Sequence, residues 1–164
     1  MTAPLPDLGA LLHASSGHLW TLGDRVLGPL GVTTPQWKVL VLLARGGEAR
    51  VSHLVAVLQH DQAATSRLVA RMEQRGLLVR AADPSDARVS IVRLTAQGRS
   101  IYAKCDVKLR AVMGRVTAAL GPSGATRLRS LLARFTSALQ LELAGQAPLR
   151  RRRIPSRRAR APRR

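Results

Sequence analysis

A helix that ends in glycine and passes straight into two short strands leaves few architectures open, and residues 61–95 read that way. Asp61 can cap a helix over about 62–75. Arg67, Arg71 and Arg75 recur every four residues within it and so form one stripe, while Leu68 and Met72 lie on a neighbouring face that can reach a core. Gly76 stands where a left-handed cap ends a helix. Leu77, Leu78 and Val79 then read as a short strand, Ala82-Asp83-Pro84-Ser85-Asp86 as a turn, and Val89, Ile91 and Leu94 as one side of a second strand. The pattern predicts a hairpin directly after a basic helix.

The flanks extend this order. Residues 7–30 place Leu8, Leu11, Leu12, Leu19, Trp20, Leu22, Val26, Leu27 and Leu30 at mostly helical spacing, with Gly17, Gly23 and Gly28 set against one unbroken helix. Thr34-Pro35 reads as a helix start, Thr34 the N-cap and Pro35 the first helical residue. That helix runs through Trp37, Val39, Leu40, Leu42 and Leu43 to a stop at Gly46-Gly47. A short helix over about 52–59 turns Leu54, Val55 and Leu58 inward, and His60-Asp61 makes a turn. Thr95 can cap a long helix over about 96–119, Gly121-Pro122 breaks it, and a last helix covers about 123–144. Trp20, Trp37, Tyr102 and Phe135 are all the aromatics, so the core is built from Leu, Val and Ala, which suits packed helices better than a β-sandwich. The expected fold class is mainly α: a winged helix-turn-helix with flanking dimerisation helices. The terminal helices carry more apolar surface than the small domain can cover and are expected to pair with a second chain.

The charge narrows the partners. The 164 residues carry a formal net charge of +18, which points to a polyanion, nucleic acid before anionic membrane. Residues 145–164 hold nine arginines and no acid, leaving 18 basic against 9 acidic residues in 1–144. That tail has little to bury and repels itself, so it is expected to be disordered, either merely solvated or a non-specific phosphate-binding arm. Only three basic residues are Lys, so arginine bias is general. One cysteine, Cys105, excludes an internal disulfide and a cysteine zinc cluster. No apolar run approaches the ~20 residues of a membrane span, and the start lacks a signal-peptide pattern, so the cytoplasm is the expected compartment. No nucleophile–base–acid set, phosphate loop or metal motif stands out, so neither an enzyme nor a cofactor is expected.

Several motifs in order resemble the MarR family of transcriptional regulators. Thr34-Pro35-Gln36-Trp37-Lys38-Val39-Leu40 resembles the opening of that family's second helix. Ser66-Arg67-Leu68-Val69 with Arg71-Met72-Glu73-Gln74-Arg75-Gly76-Leu77-Leu78-Val79-Arg80 resembles its recognition helix and first wing strand. Asp83-Pro84-Ser85-Asp86-Ala87-Arg88 is similar to its wing tip, and Leu94-Thr95-Ala96-Gln97-Gly98 to the entry of its fifth helix. The resemblance covers 34–98 by motif and the flanking helices by length and position. It implies one domain over 1–144, with 30–95 the winged helix-turn-helix and 5–30 and 96–144 the dimerisation helices. It also implies a homodimer on a pseudo-palindromic operator in double-stranded DNA, with recognition helices in major grooves and wings in minor grooves. The family usually represses and is released by a small ligand or an oxidant.

On this reading Gln62, Thr65 and Ser66 occupy the first turn, where recognition helices meet bases, although Thr65 stands where the family often has an apolar residue. Arg67 reaches either a base edge or a phosphate. Arg71 contacts DNA or braces the wing through Asp86 or Asp83, and Arg75 is solvated or faces phosphate. Arg88 suits a narrow minor groove, and Asp86 holds the turn. His13, His18, Trp20, Asp24, Arg25 and Trp37 could border a pocket for a small aromatic or anionic effector, the alternative being that both Trp residues are ordinary core. The histidine spacings do not suggest a metal site. Cys105, between Lys104 and Lys108, is structural unless those cations lower its pKa enough for redox sensing. Two other classes stay open: a non-specific nucleic-acid binder dominated by the tail, and a membrane-surface protein, which lacks the amphipathic hydrophobic partner that anchoring needs.

Overall fold

The computed structural model describes residues 7–145, apart from the side chains of Ala87 and Arg88. The expected tail therefore lies outside the described residues from 146 onward. The chain divides into two compact units, Met1–Val116 and Thr117–Arg164. In the first, helix α1 (Leu8–Leu27) runs into a 3-10 turn (Gly28–Leu30), then α2 (Thr34–Gly46), strand β1 (Glu48–Arg50), α3 (Val51–Leu58), α4 (Gln62–Gln74), β2 (Leu78–Asp83), β3 (Asp86–Leu94) and α5 (Ala96–Ala118). The second contains α6 (Gly121–Gly145). The described chain is mainly α, with the helix-then-hairpin order of a winged helix.

Local chemistry explains the boundaries. Helix α1 passes through Gly17 and Gly23 without a break. Gly23 is buried, and a Cβ there would stand 3.1 Å from Thr34 Oγ1, so its small size admits α2. The N-cap of α2 is Thr33 rather than Thr34: Thr33 and Gln36 form a reciprocal capping box. Thr34 is one residue inside, and its hydroxyl donates to Asp24 Oδ1 at 2.7 Å. Helix α4 ends in a Schellman motif at Gly76, φ +68°, where Gly76 N–H donates to Glu73 O at 2.8 Å and Leu77 N–H to Met72 O at 2.9 Å.

The sheet is antiparallel throughout, ordered β1-β3-β2. Strand β1 escapes a reading of the chain alone because Glu48-Ala49-Arg50 has no β-branched residue and one buried side chain, Ala49. Pairing makes it a strand: Glu48 lies opposite Arg93, whose Nε donates to Glu48 Oε2 at 2.6 Å. A register shift at Ala82/Asp83 sets Asp83 opposite Asp86.

The core joins Leu27, Leu40, Leu43, Leu54, Val69, Met72, Leu77 and Val92, all fully or almost fully buried. The entry of α5 is stitched to the exit of α4. Thr95 Oγ1 donates to Gly76 O at 2.6 Å and accepts from Gly98 N–H at 3.0 Å, and Gln97 Nε2 donates to Arg75 O at 3.3 Å. Among the described residues no single helix is long and apolar enough to cross a membrane.

Candidate nucleic-acid interface

Helix α4 is two-faced. Thr65, Leu68, Val69 and Met72 are buried at spacings of three, one and three, which is one side of a 3.6-residue helix. Asp61 caps it, accepting from Ala64 N–H at 2.6 Å. Gln62, Arg67 and Arg71 are exposed and Ser66 is half-buried, so four of the expected contact residues share the helix's outer surface.

One expected member does not belong to it, and another is also tied to α2. Thr65 is fully buried, and its Oγ1 has no hydrogen-bond partner. Its polar type suggested the outside; the position on the wheel, four before Val69 and three before Leu68, places it inside. A buried hydroxyl with no partner costs about 1–3 kcal/mol, whereas an isosteric apolar group costs nothing of the kind. Thr65→Val is therefore expected to raise stability by about 1 kcal/mol and to leave DNA affinity unchanged, as urea unfolding and a binding titration would show. Arg75 is exposed, as a solvated or phosphate-facing residue would be. It is the C-cap of α4, with φ −81° and ψ 2°, and its N–H still donates to Arg71 O at 3.2 Å. Its Nη1 donates to Gln36 Oε1 at 3.3 Å, tying the end of α4 to the start of α2.

The hairpin is held through Asp83. Its Oδ1 accepts from Ser85 N–H at 2.9 Å and from Ser85 Oγ at 2.6 Å, and its Oδ2 accepts from Arg50 Nε at 3.0 Å. Asp83 is thus committed to Arg50, not to Arg71, and these turn-holding bonds fall on Asp83 rather than on Asp86. Asp86 is half-buried and has a partner of its own. Arg88 lies on β3, but its side chain is outside the described ones. Hydrogen bonds from Ser85 chiefly, aided by the Arg50 guanidinium, hold the Asp83 carboxyl below its usual value against the opposing effect of burial. A depressed carboxylate pKa stabilises the fold above the unfolded value, about 3.9, and that contribution is lost as pH falls through the folded value. The melting-temperature gap between the native chain and Asp83→Asn is expected to be widest near pH 6 and to close below about pH 4.

Arg50 and Arg80 were not singled out from the chain. Arg50 needed β1 to be seen. Arg80, on β2, joins Val51, Ser52, Gln62, Ser66, Val89 and Ser90 around a cavity of about 260 Å³ between α3, α4 and the hairpin. Its Nε is buried without a hydrogen-bond partner, Glu73 Oε2 standing 3.5 Å away. Alternation along β2 is the signal that could have marked it.

The expected effector residues have separate local partners. Asp24 is occupied at the start of α2, where Thr34 N–H and hydroxyl both donate to it. Trp20 carries Lys38 Nζ 5.0 Å from its ring centroid, and His13 is exposed and lines none of the cavities described. Trp37 stacks on Tyr102 at 5.3 Å with ring planes 11° apart. Its other surface borders a groove of about 500 Å³ with Lys38, Val41, Leu42, Arg45, Gly46 and Val57. Of His13, Trp20, Asp24 and Trp37, Trp37 lines this groove, and Trp20 meets its edge through Lys38. Cys105 is fully buried; burial raises its thiol pKa, only partly offset by Lys108, so it stays protonated. Among the described residues no cluster of three His, Cys, Asp or Glu could hold a metal.

Comparison with known proteins places these features. A family model described as "MarR family" matches residues 30–89. The multiple antibiotic resistance protein MarR of Salmonella typhimurium is 32% identical over 98 residues, 60% of this chain and 68% of the relative. The structure of a cysteine-to-serine mutant of MarR from E. coli complexed with operator DNA is similar with a TM-score of 0.70 and 28% identity, over 78% of this chain and 92% of that one. CouR, a transcriptional repressor solved with a 23-mer DNA duplex, is similar with a TM-score of 0.72 and 29% identity, over 79% and 92%.

Proposed function

This chain belongs to the MarR family, and from that premise we propose that it is a transcriptional repressor binding double-stranded DNA sequence-specifically as a homodimer. The carrying observation is the outer face of α4, where Gln62, Ser66, Arg67 and Arg71 stand on a helix anchored by its buried side and flanked by a braced hairpin. On this reading α4 enters a major groove and the hairpin reaches the adjacent minor groove, with Arg88 the residue expected to contact it there. That the similar MarR and CouR chains were solved with DNA supports the same mode. The similar proteins are transcriptional regulators rather than enzymes.

Residues 30–95 then form the DNA-binding lobe, 5–30 and 96–144 the dimerisation helices, and 145–164 a basic arm. Helix α1 exposes Leu8, Leu11 and Leu19, and α6 exposes Leu128, Leu131, Leu132 and Leu139. Each leucine fully covered contributes about 1.5–3 kcal/mol, which favours a second copy over water as the neighbour of both helices. The groove beside Trp37, apolar and flanked by Lys38 and Arg45, fits a small aromatic anion as effector.

Selection of bound genomic fragments followed by footprinting tests this reading. A protected pseudo-palindrome is expected, with sedimentation giving twice the chain mass. Uniform protection without a preferred site would overturn it in favour of a non-specific binder driven by the nine arginines of residues 145–164.

A further inference from the structure

Arg50 makes a contact that spans the sheet. It is the last residue of β1 and the N-cap residue of α3. In the sheet order β1-β3-β2, β3 separates it from β2, where Asp83 is the last residue. Two strand spacings amount to roughly 10 Å, which calls for a side chain as long as arginine's. The Arg50 guanidinium crosses that span and delivers Nε at 3.0 Å and Nη2 at 2.8 Å to the same Asp83 oxygen. The other Asp83 oxygen is filled by Ser85. The Asp83 side chain is only 10% exposed, so its charge depends on these partners.

We infer that Arg50 is a positioning residue for the wing: it clasps the hairpin turn across the central strand and sets the wing's angle relative to α3 and α4. The inference rests on the DNA-binding reading above. With the clasp closed, the hairpin tip and α4 are presented to DNA as one rigid surface. With it open, the ladder between β2 and β3 keeps the hairpin folded, but the tie from Asp83 to the start of α3 is lost. Ordering the wing then falls on the binding step and weakens it.

The charges give the test a sign. If Arg50 acted only as a phosphate contact, removing the carboxylate beside it with Asp83→Asn would leave DNA affinity unchanged or raise it. If Arg50 positions the wing, Asp83→Asn lowers affinity, as Arg50→Met does. The experiment measures binding of the full-length chain, Arg50→Met, Asp83→Asn and the double variant to the duplex selected by the unmodified protein, with hydroxyl-radical footprints. Each single variant is expected to bind about five- to tenfold more weakly, the double variant no more weakly than either single, because the pair acts as one unit. Protection should be lost at the flanking minor grooves and kept at the centre of the site, a pattern general destabilisation does not produce. Arg50→Lys, which keeps the charge and loses the fork, should fall between and guards against misfolding of the methionine variant. Unchanged or tighter binding by Asp83→Asn, additive losses, or uniform fading of the footprint would overturn the clasp. Absence of any selective footprint from the unmodified chain would overturn the DNA-binding reading, and the positioning role with it.

Discussion

Gly98→Ala is expected to destabilise the protein by about 3 kcal/mol or more, well beyond an ordinary surface change. A Cβ at Gly98 would stand 2.1 Å from the carbonyl oxygen of Leu77 and 3.1 Å from its carbonyl carbon. That oxygen belongs to the backbone and already accepts from Thr95 N–H at 3.2 Å, so it cannot rotate away as a side chain would. Relief requires α5 to move off the end of α4, breaking the Thr95–Gly76 bond. Against a typical total stability of about 5–15 kcal/mol the loss is severe. Urea unfolding checks it, with Gly17→Ala as the control: nothing lies within 4 Å of a Cβ there, and no loss is expected. A Gly98→Ala midpoint equal to the native one would mean that the close approach of α5 to Leu77 is not held in solution.

Arg67→Ala is expected to weaken operator binding tenfold or more while leaving the unfolding midpoint unchanged. The side chain is exposed, so folding gains little from it, whereas a guanidinium paired with a guanine edge is worth about 1–3 kcal/mol of discrimination. If Arg67 meets a phosphate instead, the loss is similar on every sequence and the slope of log affinity against log salt falls by about one. Titrations at several salt concentrations, on the operator and on a scrambled duplex, separate these. Arg71→Ala should behave in the same direction. Arg75→Ala should not: its bond to Gln36 makes it a support for the α2–α4 junction, so it should cost stability before affinity. Equal loss of affinity from all three would restore the undivided stripe that their four-residue spacing suggests.

The contrast among these arginines shows where a reading of the chain succeeds and stops. Spacing located α4 to within one residue, because a cap at Asp61, a stop at Gly76 and an apolar face at Leu68 and Met72 are all local signals. The hairpin followed from Asp83-Pro84-Ser85-Asp86 in the same way. Thr65 was misplaced because residue type was allowed to stand for exposure. Thr65 is polar yet lies on the buried side of its helix; Arg75, at the helix end, is exposed and also bonds to Gln36, a contact its position in the chain does not announce. Gly98 carried no sign of its importance beyond its place in the motif that opens α5. Trp20, Asp24 and Trp37 look like neighbours on adjacent helices, but Asp24 accepts from Thr34 at the start of α2 and Trp37 is stacked on Tyr102, far downstream in the chain.

Local order was therefore legible in the amino acids: which segments are helical, where they are capped and stopped, where the period changes to that of a hairpin, and which family the motifs belong to. These depend on residues within one or two turns of each other, where propensity and capping act directly. The folded chain added the contacts that close long loops. Strand β1 exists because β3 pairs with it, and Arg50 finds Asp83 at a sequence separation of 33 residues. Such pairings repay their loop-closure entropy only when the whole core forms, so no local pattern announces them.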